Sequence, residues 1–428
     1  MEKKAWIITV NMGYGHQRTA YPLKNLAPAG EAICINDYPG IPEKDRRIWE
    51  STRHGYELIS KLKRIPLIGE LVFFLFDQFQ KIFNFYPKRD LSKPNFQLKQ
   101  TFSLIEKGWG RHLVEKLKNN PLPIVSTFFT SAFMAEYFDY PSEIFCIVCD
   151  ADVSRTWAPF NPRKSKIKYF APTSWVVSRL KLYGVKEENI FFTGYPLPQD
   201  LIGDEKMEVL KKDLENRLVN LDPKRKYIRL YEPLIRKHLG YLPPESNHPL
   251  TIMFAVGGAG AQKEIGMKMV KSLKKRIKEG EIKIILVAGV KEKVKEYFKE
   301  NLRSLGLEDD ENIEIIFENN IETYFQKFNE ALRQTDILWT KPSELSFYAA
   351  LGLPIIIAPT IGSQEEFNKK WLLKSGFGIP QENPLYANEW LFDFLESGRF
   401  AEAAIQGFIE GEKLGTLKIK EIVEKQCG

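Results

Sequence analysis

The sequence lacks the features that mark secreted, metal-binding and disulfide-stabilised proteins. Its 428 residues include only four cysteines, Cys34, Cys146, Cys149 and Cys427. Cys146 and Cys149 form a CxxC within the apolar run EIFCIVCD, where positions three apart on a strand point to opposite faces. Because no second Cys/His pair accompanies them, we interpret both as buried thiols rather than zinc ligands. The scarcity of cysteine favours a cytoplasmic protein.

Long apolar runs and several common motifs are also missing. No stretch of about 20 apolar residues occurs, so we expect no helix that spans a bilayer. The first residues, MEKKAWIITV, lead directly into a strand pattern, so we expect no signal peptide. A Walker A motif is absent, which disfavours a P-loop NTPase. The net charge of +7 favours anionic partners, but no RNA-binding motif accompanies it, and we expect no nucleic-acid partner.

What is present is an alternation of short apolar runs with helical patterns in both halves of the chain. Near-continuous Val, Ile, Leu and Phe runs indicate parallel strands that are buried on both faces. Such strands, joined by right-handed crossovers, form doubly wound sheets. We therefore predict an α/β fold with two Rossmann-like domains. The predicted strands are 5–10, 32–36, 123–129, 143–149, 169–173, 190–196, 250–258, 282–289, 313–318, 336–341 and 353–359.

Changes in composition suggest the domain boundaries. Residues 1–200 form the first predicted domain, and residues 248–395 form the second. Between them, 201–247 is charged and helical, and we interpret it as an interdomain connection with a helical insertion. Residues 396–428 are expected to form C-terminal helices. The segment 56–90 contains RIPLIGELVFFLFDQFQKIFNFYPKR, which is either an amphipathic helix at a lipid surface or acceptor groove, or an ordinary core helix.

The first chemical motif is NMGYGHQRTA, which follows a predicted strand and precedes a helical pattern. Gly13 and Gly15, on either side of Tyr14, allow a sharp turn and a close approach to a ligand. His16 would then lie at the carboxyl end of the strand, where open α/β sheets bind ligands. Because imidazole titrates near neutral pH, it can accept a proton from a hydroxyl. The alternative is a phosphate-binding turn or merely a tight one.

Carboxylates follow another strand of the first domain, in CDADVSRTWAP. We expect Asp150 to orient His16 or to act as a base itself. Asp152 and Trp157 are predicted to lie on the acceptor side. The Asp-Ala-Asp spacing also suggests a metal site, but the ends of parallel strands commonly carry carboxylates, and we predict no metal.

The second motif, AVGGAGAQKEIG, joins a strand to a helix in the second domain. Gly257, Gly258 and Gly260 form a loop whose amides, together with the helix N-terminus, can hold a diphosphate. An NAD site would need an acidic residue at the end of the next strand, where Ala288 and Gly289 occur instead. This absence disfavours a dehydrogenase.

The third motif is TKPSELSFYAALGLPIIIAPTIGSQEEFN. We expect a helix to begin at Ser343 and Glu344, with Ser343 as its cap, and this helix start suits a phosphate or a ribose. After the next strand, amide and carboxylate side chains suit hydrogen bonds to sugar hydroxyls. These side chains belong to Gln364, Glu365 and Asn368.

Taken in order, these motifs resemble a known family. A GxGH turn, a mid-chain GGxG loop and a late TK…GLP…GSQEEFN run are similar to motifs of certain lipid glycosyltransferases. That group comprises enzymes related to plant monogalactosyldiacylglycerol synthase, bacterial diacylglycerol glucosyltransferase and MurG. Gln364 falls at the family's spacing after Gly352, and TGYPL at 193–197 resembles the end of the family's first domain.

The resemblance implies the GT-B fold, with two Rossmann-like domains facing across a cleft. It implies that the first domain holds an acceptor, either a lipid or a small molecule, and that the second holds a nucleotide sugar, usually UDP-linked. Transfer would invert the anomeric centre without metal or other cofactor, with His16 as candidate base. Such an enzyme of glycolipid synthesis would be cytoplasmic or peripheral on the inner face of the membrane.

Two alternatives stay open. The same architecture serves UDP-sugar 2-epimerases, which need no acceptor. In addition, Phe347 stands where the family has a glutamate, which is compatible with a nucleotide-sugar-binding protein that has lost catalysis.

Overall fold

Twelve short strands, all paired in parallel, form two six-stranded sheets in the structure, a computed structural model. The structure describes residues 4–51, 82–255, 257, 260 and 262–426. Most of the apolar segment 56–90 therefore lies outside the described residues. The two parallel sheets, with helices flanking them, confirm the predicted pair of Rossmann-like domains, which are the building blocks of the GT-B class.

The chain divides into two compact units, each containing one sheet. The first unit comprises Met1–Pro196, Ile361–Asn368 and Leu414–Gly428. The second comprises Leu197–Thr360 and Lys369–Lys413. The stretch interpreted as a connection, 201–247, thus belongs to the second unit, and the C-terminal stretch 396–428 contributes to both.

The first sheet has the strand order β2-β1-β3-β4-β5-β6. Its strands are β1 Trp6–Thr9, β2 Ile33–Cys34, β3 Ile124–Ser126, β4 Ile144–Ile147, β5 Lys168–Ala171 and β6 Ile190–Phe192. Because alternate side chains of a strand point to opposite faces, Ile7 and Ile8 enter two different apolar clusters. The cluster around Ile7 also contains Ile419 and Val423 of the helix Gly415–Gln426, which explains why the end of the chain belongs to this unit.

The second sheet has the strand order β12-β11-β10-β7-β8-β9. Its strands are β7 Leu250–Ala255, β8 Ile282–Gly289, β9 Ile313–Phe317, β10 Ile337–Thr340, β11 Ile355–Ile357 and β12 Gly378–Pro380. The prediction lacked β12. Among the strands that the structure describes, β12 pairs only with β11, and it ends in Pro380, which an edge strand tolerates but a central strand does not.

Helices connect the strands in both units. On Lys263–Lys278, the buried residues Val270, Leu273 and Ile277 recur at the three- and four-residue spacing of one helix face. The other α-helices are Tyr14–Ala20, Phe96–Glu106, Arg111–Lys118, Phe129–Tyr137, Ser174–Leu182, Glu208–Leu221, Lys226–Leu230, Glu232–Leu239, Glu292–Leu305, Ile321–Leu332, Ser363–Ser375, Ala387–Glu396, Arg399–Glu410 and Gly415–Gln426.

The helix expected after β10 differs from the prediction. Glu344–Leu351 is a 3₁₀ helix rather than an α-helix, and its residues from Leu345 onward are buried. The described side chain of Ser343 makes no capping hydrogen bond to it, so the predicted role of Ser343 as a cap is wrong. The segment ends at Gly352, whose φ of 66° terminates the helix in the left-handed region.

Candidate functional site

In the first unit, the chain reverses its direction of winding between β1 and β3. β1 pairs with β2 on one side and with β3 on the other, so the connections leave these two neighbours toward opposite edges of the sheet. In open α/β sheets, ligands bind beyond the carboxyl ends of the strands at this topological switch point. The residues that follow β1 and β3 here are the loop before His16 and the pair Thr127–Phe128.

His16 reaches across this switch point. It lies in the first turn of the helix Tyr14–Ala20, which Gly13 starts with a φ of 109° that favours glycine. Its Nδ1 is 2.7 Å from the carbonyl oxygen of Thr127. A carbonyl oxygen only accepts hydrogen bonds, so Nδ1 carries the proton and donates. In the neutral imidazole, Nε2 then keeps its lone pair, which is the state that a general base requires.

Aromatic rings fix the plane of the His16 imidazole. The ring centroid of Phe128 is 5.0 Å away in an edge-on arrangement, and that of the buried Trp157 is 6.4 Å away. Aromatic neighbours at such distances limit the ring's rotation and reduce its contact with water. His16 itself is half-buried, so part of the side chain stays accessible.

Cys149, two residues after β4, contacts His16. Its Sγ is 3.5 Å from Nδ1 of His16 and 3.3 Å from the Thr127 carbonyl oxygen. Cys34, Cys146 and Cys149 are free thiols, and the last two are buried, as predicted. Burial raises the pKa of the Cys146 thiol. The contact between Cys149 and His16 was not anticipated, because the sequence shows only that both residues follow strands.

Asp150 and Asn368 are brought together in the first unit. Asn368 donates from Nδ2 to Oδ1 of Asp150 over 3.0 Å and accepts from the backbone N–H of Ala151 over 2.7 Å. Asn368 is fully buried, whereas Asp150 is half-buried. Residues 361–368 belong to the first unit, and there Asn368 holds Asp150. The predicted contact of Asn368 with a donor stays a prediction.

Asp152, two residues further on, occupies a different environment. Its carboxylate accepts two hydrogen bonds from the Arg179 guanidinium, at 2.9 and 2.8 Å, and both side chains are about 1% exposed. Burial raises the pKa of Asp152, and the Arg179 guanidinium opposes that rise. This is an internal ion pair, so we do not include Asp152 among the residues proposed to contact an acceptor.

Glu365 and Gln364 begin the helix Ser363–Ser375 in the same unit. The carboxylate of Glu365 accepts hydrogen bonds from the backbone N–H groups of Ile361 and Gly362, at 2.6 and 3.4 Å. Glu365 thus stabilises the turn that precedes its own helix and is largely buried. Gln364 is half-buried. The predicted contacts of both residues with a donor sugar stay a prediction.

The second unit has its own switch point, between β7 and β10. The chain runs from β7 to β8 and β9 on one side and to β10 and β11 on the other. Gly257 follows β7, and a hydrogen bond of 2.7 Å from the N–H of Gly260 to the Gly257 carbonyl closes the loop. Gly258 lies outside the described residues. The helix Lys263–Lys278 starts directly afterwards, so its first amides face the end of the loop.

Lys341, which the sequence reasoning did not single out, lies against this glycine loop. It follows β10 directly, and a Cβ added to Gly257 would come within 2.4 Å of Lys341 Cε. The absence of a side chain at Gly257 therefore makes room for the lysine stem. Ser343 and Glu344, which come next, are half-buried. The sequence did contain a signal for Lys341: a TK pair ends a predicted strand that lies opposite a glycine loop.

Phe347 stands at the position where a glutamate was expected from the resemblance. It is 4% exposed, and its ring centroid is 5.3 Å from that of Trp371. An ionised carboxylate would be costly in such a place. The local packing of the 3₁₀ helix Glu344–Leu351 therefore accounts for an apolar residue here.

Two further properties bear on the predictions. Across the described parts of the chain, no group of three or more His, Cys, Asp or Glu side chains could hold a metal ion. Within those same parts, no helix is both long and apolar enough to cross a membrane. Metal independence and contact with a membrane surface remain predictions.

Three comparisons with known proteins were made. A family model described as a domain of unknown function (DUF6938) matches residues 244–311, and a search of curated proteins finds no match. MurG of Acinetobacter baumannii is 13% identical, with a TM-score of 0.48 and coverage of 99% of each chain. The S. aureus MnaA structure with UDP is 13% identical, with a TM-score of 0.46 and coverage of 97% of this chain and 95% of that chain.

A third solved structure is Methanocaldococcus jannaschii UDP-GlcNAc 2-epimerase in complex with UDP-GlcNAc and UDP. It is 13% identical, with a TM-score of 0.42 and coverage of 99% of each chain. Similarity at this level assigns no residue roles to this chain.

Proposed function

We propose that this protein is a glycosyltransferase that moves a sugar from a nucleoside diphosphate sugar, UDP-linked in our preferred form, to an acceptor hydroxyl. The observation that carries the proposal is the hydrogen bond of 2.7 Å from His16 Nδ1 to the Thr127 carbonyl oxygen. It leaves a basic Nε2 at the switch point of a Rossmann-like sheet.

The acceptor half of the reaction is assigned to the first unit. In this proposal, the acceptor oxygen attacks the anomeric carbon, and His16 Nε2 takes the hydroxyl proton as the new C–O bond forms. Asp150, held by Asn368 at 3.0 Å, supplies a fixed negative charge at the end of β4. Attack from the face opposite the leaving group inverts the anomeric centre.

The donor half is assigned to the second unit. The bond from the anomeric carbon to the diphosphate oxygen breaks, and the departing nucleoside diphosphate carries the electron pair. Amides at the start of Lys263–Lys278 and the Lys341 ammonium, beside Gly257, would stabilise the developing charge. These groups could stabilise the charge of the departing diphosphate without a metal ion, which is why we propose metal-independent transfer.

The acceptor class and the cellular location are also part of the proposal. We propose a lipid or a small molecule as acceptor, and a cytoplasmic protein that is peripheral on the inner face of the membrane. The apolar segment 56–90, if it contacts lipid, would provide the membrane contact.

Product analysis tests this function. The full chain is incubated with UDP-glucose, UDP-galactose or UDP-N-acetylglucosamine, with and without diacylglycerol or glycoside acceptors and with and without EDTA. We expect an acceptor-dependent glycoside of inverted configuration, identified by mass spectrometry and NMR, and no effect of EDTA. Conversion of a donor to its 2-epimer without acceptor would favour an epimerase instead. If no donor is consumed or bound, the catalytic proposal is wrong.

A further inference from the structure

The TGYPL segment at 193–197 has no role in the proposed mechanism, yet it contacts the helix that carries His16. Tyr195 comes shortly after β6 and is almost completely buried. Its phenol oxygen lies 2.9 Å from Oγ1 of Thr19, which is also buried. Thr19 belongs to the helix Tyr14–Ala20, three residues after His16. The chain that follows β6 is therefore joined to the helix of the proposed base.

The direction of this hydrogen bond follows from the protons that are present. Thr19 Oγ1 is 2.8 Å from the carbonyl oxygen of Gly15 and 3.4 Å from Sγ of Cys149. The oxygen is the nearer and the stronger acceptor, so Thr19 donates its single proton to Gly15. Thr19 Oγ1 then accepts the proton of the Tyr195 phenol. Because leaving a buried hydroxyl without a partner is costly, this bond holds the helix to Tyr195.

Cys149 occupies the space between the Thr19 hydroxyl and the His16 ring. Its Sγ is 3.5 Å from His16 Nδ1. The thiol donates to the Thr127 carbonyl oxygen over 3.3 Å, and the same oxygen accepts from His16 Nδ1 over 2.7 Å. A carbonyl oxygen has two lone pairs and can accept both bonds. The buried sulfur thus takes up the space beside Nδ1 that a water molecule would otherwise fill.

These contacts decide which nitrogen of His16 is basic. An unconstrained neutral histidine favours the proton on Nε2, which would leave no lone pair there for the proton of an acceptor hydroxyl. The Thr127 carbonyl reverses this preference only while the imidazole keeps its orientation, because a half-turn of the ring moves Nδ1 away from that oxygen. Cys149 and Phe128, whose ring centroid is 5.0 Å from that of His16, both contact the ring and limit this rotation.

We propose that Tyr195 and Cys149 are positioning residues, which hold the His16 ring so that Nδ1 keeps its proton and Nε2 stays basic. Cys149 acts on the ring directly, and Tyr195 acts through Thr19 and the helix Tyr14–Ala20. Neither residue is assigned a contact with the reacting atoms. The inference rests on the proposed function for its effect on transfer, but the state of the His16 ring can be measured without any transfer.

The test compares matched substitutions in the full chain. Tyr195→Phe removes one buried hydroxyl. Tyr183→Phe is its control, because Tyr183 is equally buried in the same unit but donates to the Val153 carbonyl oxygen, over 2.8 Å. Cys149→Ala removes the thiol, and Cys149→Ser restores a donor at the same place. Cys146→Ala is the control for the loss of a thiol, because Cys146 is also buried and lies within β4. Circular dichroism checks that each variant is folded.

NMR of the histidine side chains reads the position of the proton. The chain has five histidines, and long-range correlation spectra of ¹⁵N-histidine-labelled protein distinguish protonated from unprotonated ring nitrogens. The signals of His16 are those that H16Q lacks. In the neutral ring we expect Nδ1 to be protonated. The ratio of the Nδ1–H form to the Nε2–H form should fall about tenfold in C149A and about threefold in Y195F, since the loss of one neutral hydrogen bond has an effect of this order.

The same variants should slow transfer wherever transfer is observed. We expect kcat to fall about tenfold in C149A and about threefold in Y195F, because a small displacement of a catalytic group slows the chemical step. The KM values for acceptor and donor should change little. C149S should recover most of the loss, whereas Y183F and C146A should keep both the spectrum and kcat of the unchanged chain.

Other outcomes separate this inference from the proposed function. If transfer occurs but C149A and Y195F keep the Nδ1 proton and the kcat of the unchanged chain, the inference is wrong and the transferase proposal stands. If no donor is turned over, the transferase proposal fails, and the inference is judged on the NMR spectra alone. A proton on Nε2 in the unchanged chain, or equal effects of Y195F and Y183F, overturns the inference. If C149A does not fold, the comparison of Y195F with Y183F decides.

Discussion

The two switch points of this protein share a topology but differ in their chemistry. Between β1 and β3, the first unit places an imidazole held by the Thr127 carbonyl, with Phe128 and Trp157 beside it. Between β7 and β10, the second unit places a glycine loop and a lysine. The first arrangement suits proton transfer, and the second suits an anion. The topology of the sheet thus determines where a ligand would bind, while the residues after each strand determine which class of ligand fits there.

The two switch points also differ in how side chains pack around them. In the first unit, bulky rings surround His16 and restrict its orientation. In the second, Gly257 leaves room that the Lys341 stem occupies, because any side chain there would meet it at 2.4 Å. The first site is thus packed by aromatic rings, and the second is packed by a lysine stem that fits because Gly257 has no side chain. Substitutions should therefore affect the two units separately.

The largest expected effect is on catalysis through the first unit. His16→Gln removes the basic Nε2, and we expect kcat/KM for transfer to fall by roughly 10²–10⁴-fold, the usual contribution of a general base. The Kd for UDP should stay unchanged, because nucleotide binding is assigned to the second unit. Steady-state kinetics and calorimetry measure the two quantities.

His112→Gln is the matched control for this substitution. His112 belongs to the same unit, and its Nδ1 also makes a hydrogen bond, 2.9 Å long, to the Tyr38 hydroxyl. We expect H112Q to retain transfer within about twofold. Equal activity of H16Q and the unchanged chain would exclude His16 as the base.

A smaller effect is expected on anion binding through the second unit. Lys341→Ala should weaken UDP binding by about tenfold or more, since hydrogen bonds to charged groups contribute ~1.5–3 kcal/mol. Gly257→Ala should weaken it in the same direction, because the added methyl group displaces the lysine stem. Calorimetry with UDP and the full chain measures both.

Lys268→Ala provides the control for this second pair of variants. Lys268 is an exposed residue of the helix Lys263–Lys278, so K268A removes the same charge at another place. We expect its Kd for UDP to change by less than about twofold. If K341A and K268A bind UDP equally well, the glycine loop and Lys341 are not the donor site.

The smallest expected effect comes from a second contrast, between the buried carboxylates of the two units. Asp152 in the first unit is paired with Arg179. Asp336 in the second unit is fully buried, and its Oδ1 has no hydrogen-bond partner among the described residues. Burial raises the pKa of Asp336 to about 8, although the Thr251 N–H and Arg217 oppose the rise. The folded protein should therefore hold a proton on Asp336 at neutral pH.

The proton held by Asp336 makes the free energy of unfolding depend on pH. An unfolded aspartate has a pKa of about 4, so the folded state binds the extra proton between that value and about 8, and the stability it contributes is lost as the pH rises through this range. We expect the free energy of unfolding to fall by roughly 1 kcal/mol from pH 7 to pH 8. His248, whose pKa is lowered by burial, is neutral in this window.

Urea unfolding at pH 7 and pH 8 measures this effect. Asp336→Asn should make the unfolding free energy nearly independent of pH over that range. The exposed Asp309 offers a control, because D309N should retain the slope of the unchanged chain. Identical slopes for all three proteins would show that Asp336 is ionised at pH 7.

The sequence predicted eleven of the twelve strands in the described part of the chain, because buried parallel strands are apolar along their whole length. It missed β12, whose GIP sequence contains two residues that disfavour strands. It also placed strand ends too late: the run at 123–129 yields a strand only over Ile124–Ser126, and a helix begins at Phe129. Apolar character marks burial, but a buried helix start is equally apolar.

The candidate site was predicted less completely. His16, Asp150 and the glycine loop were recognised, since each follows a strand. Lys341 was not, because its position against the loop depends on Gly257, which is far away in the chain. The capping role expected for Ser343 was wrong, because the helix after it adopts a tighter 3₁₀ geometry.

The sequence by itself determined the two parallel sheets and the loops that carry chemistry, because periodicity and glycine positions are local properties of a chain. Only the tertiary structure decided which nitrogen of His16 carries the proton, since that depends on the carbonyl of Thr127, 111 residues away. Only the tertiary structure shows that Asn368 donates a hydrogen bond to Asp150 and that Asp152 forms an ion pair with Arg179. Hydrogen bonds of this kind follow from strand order, which no local pattern encodes.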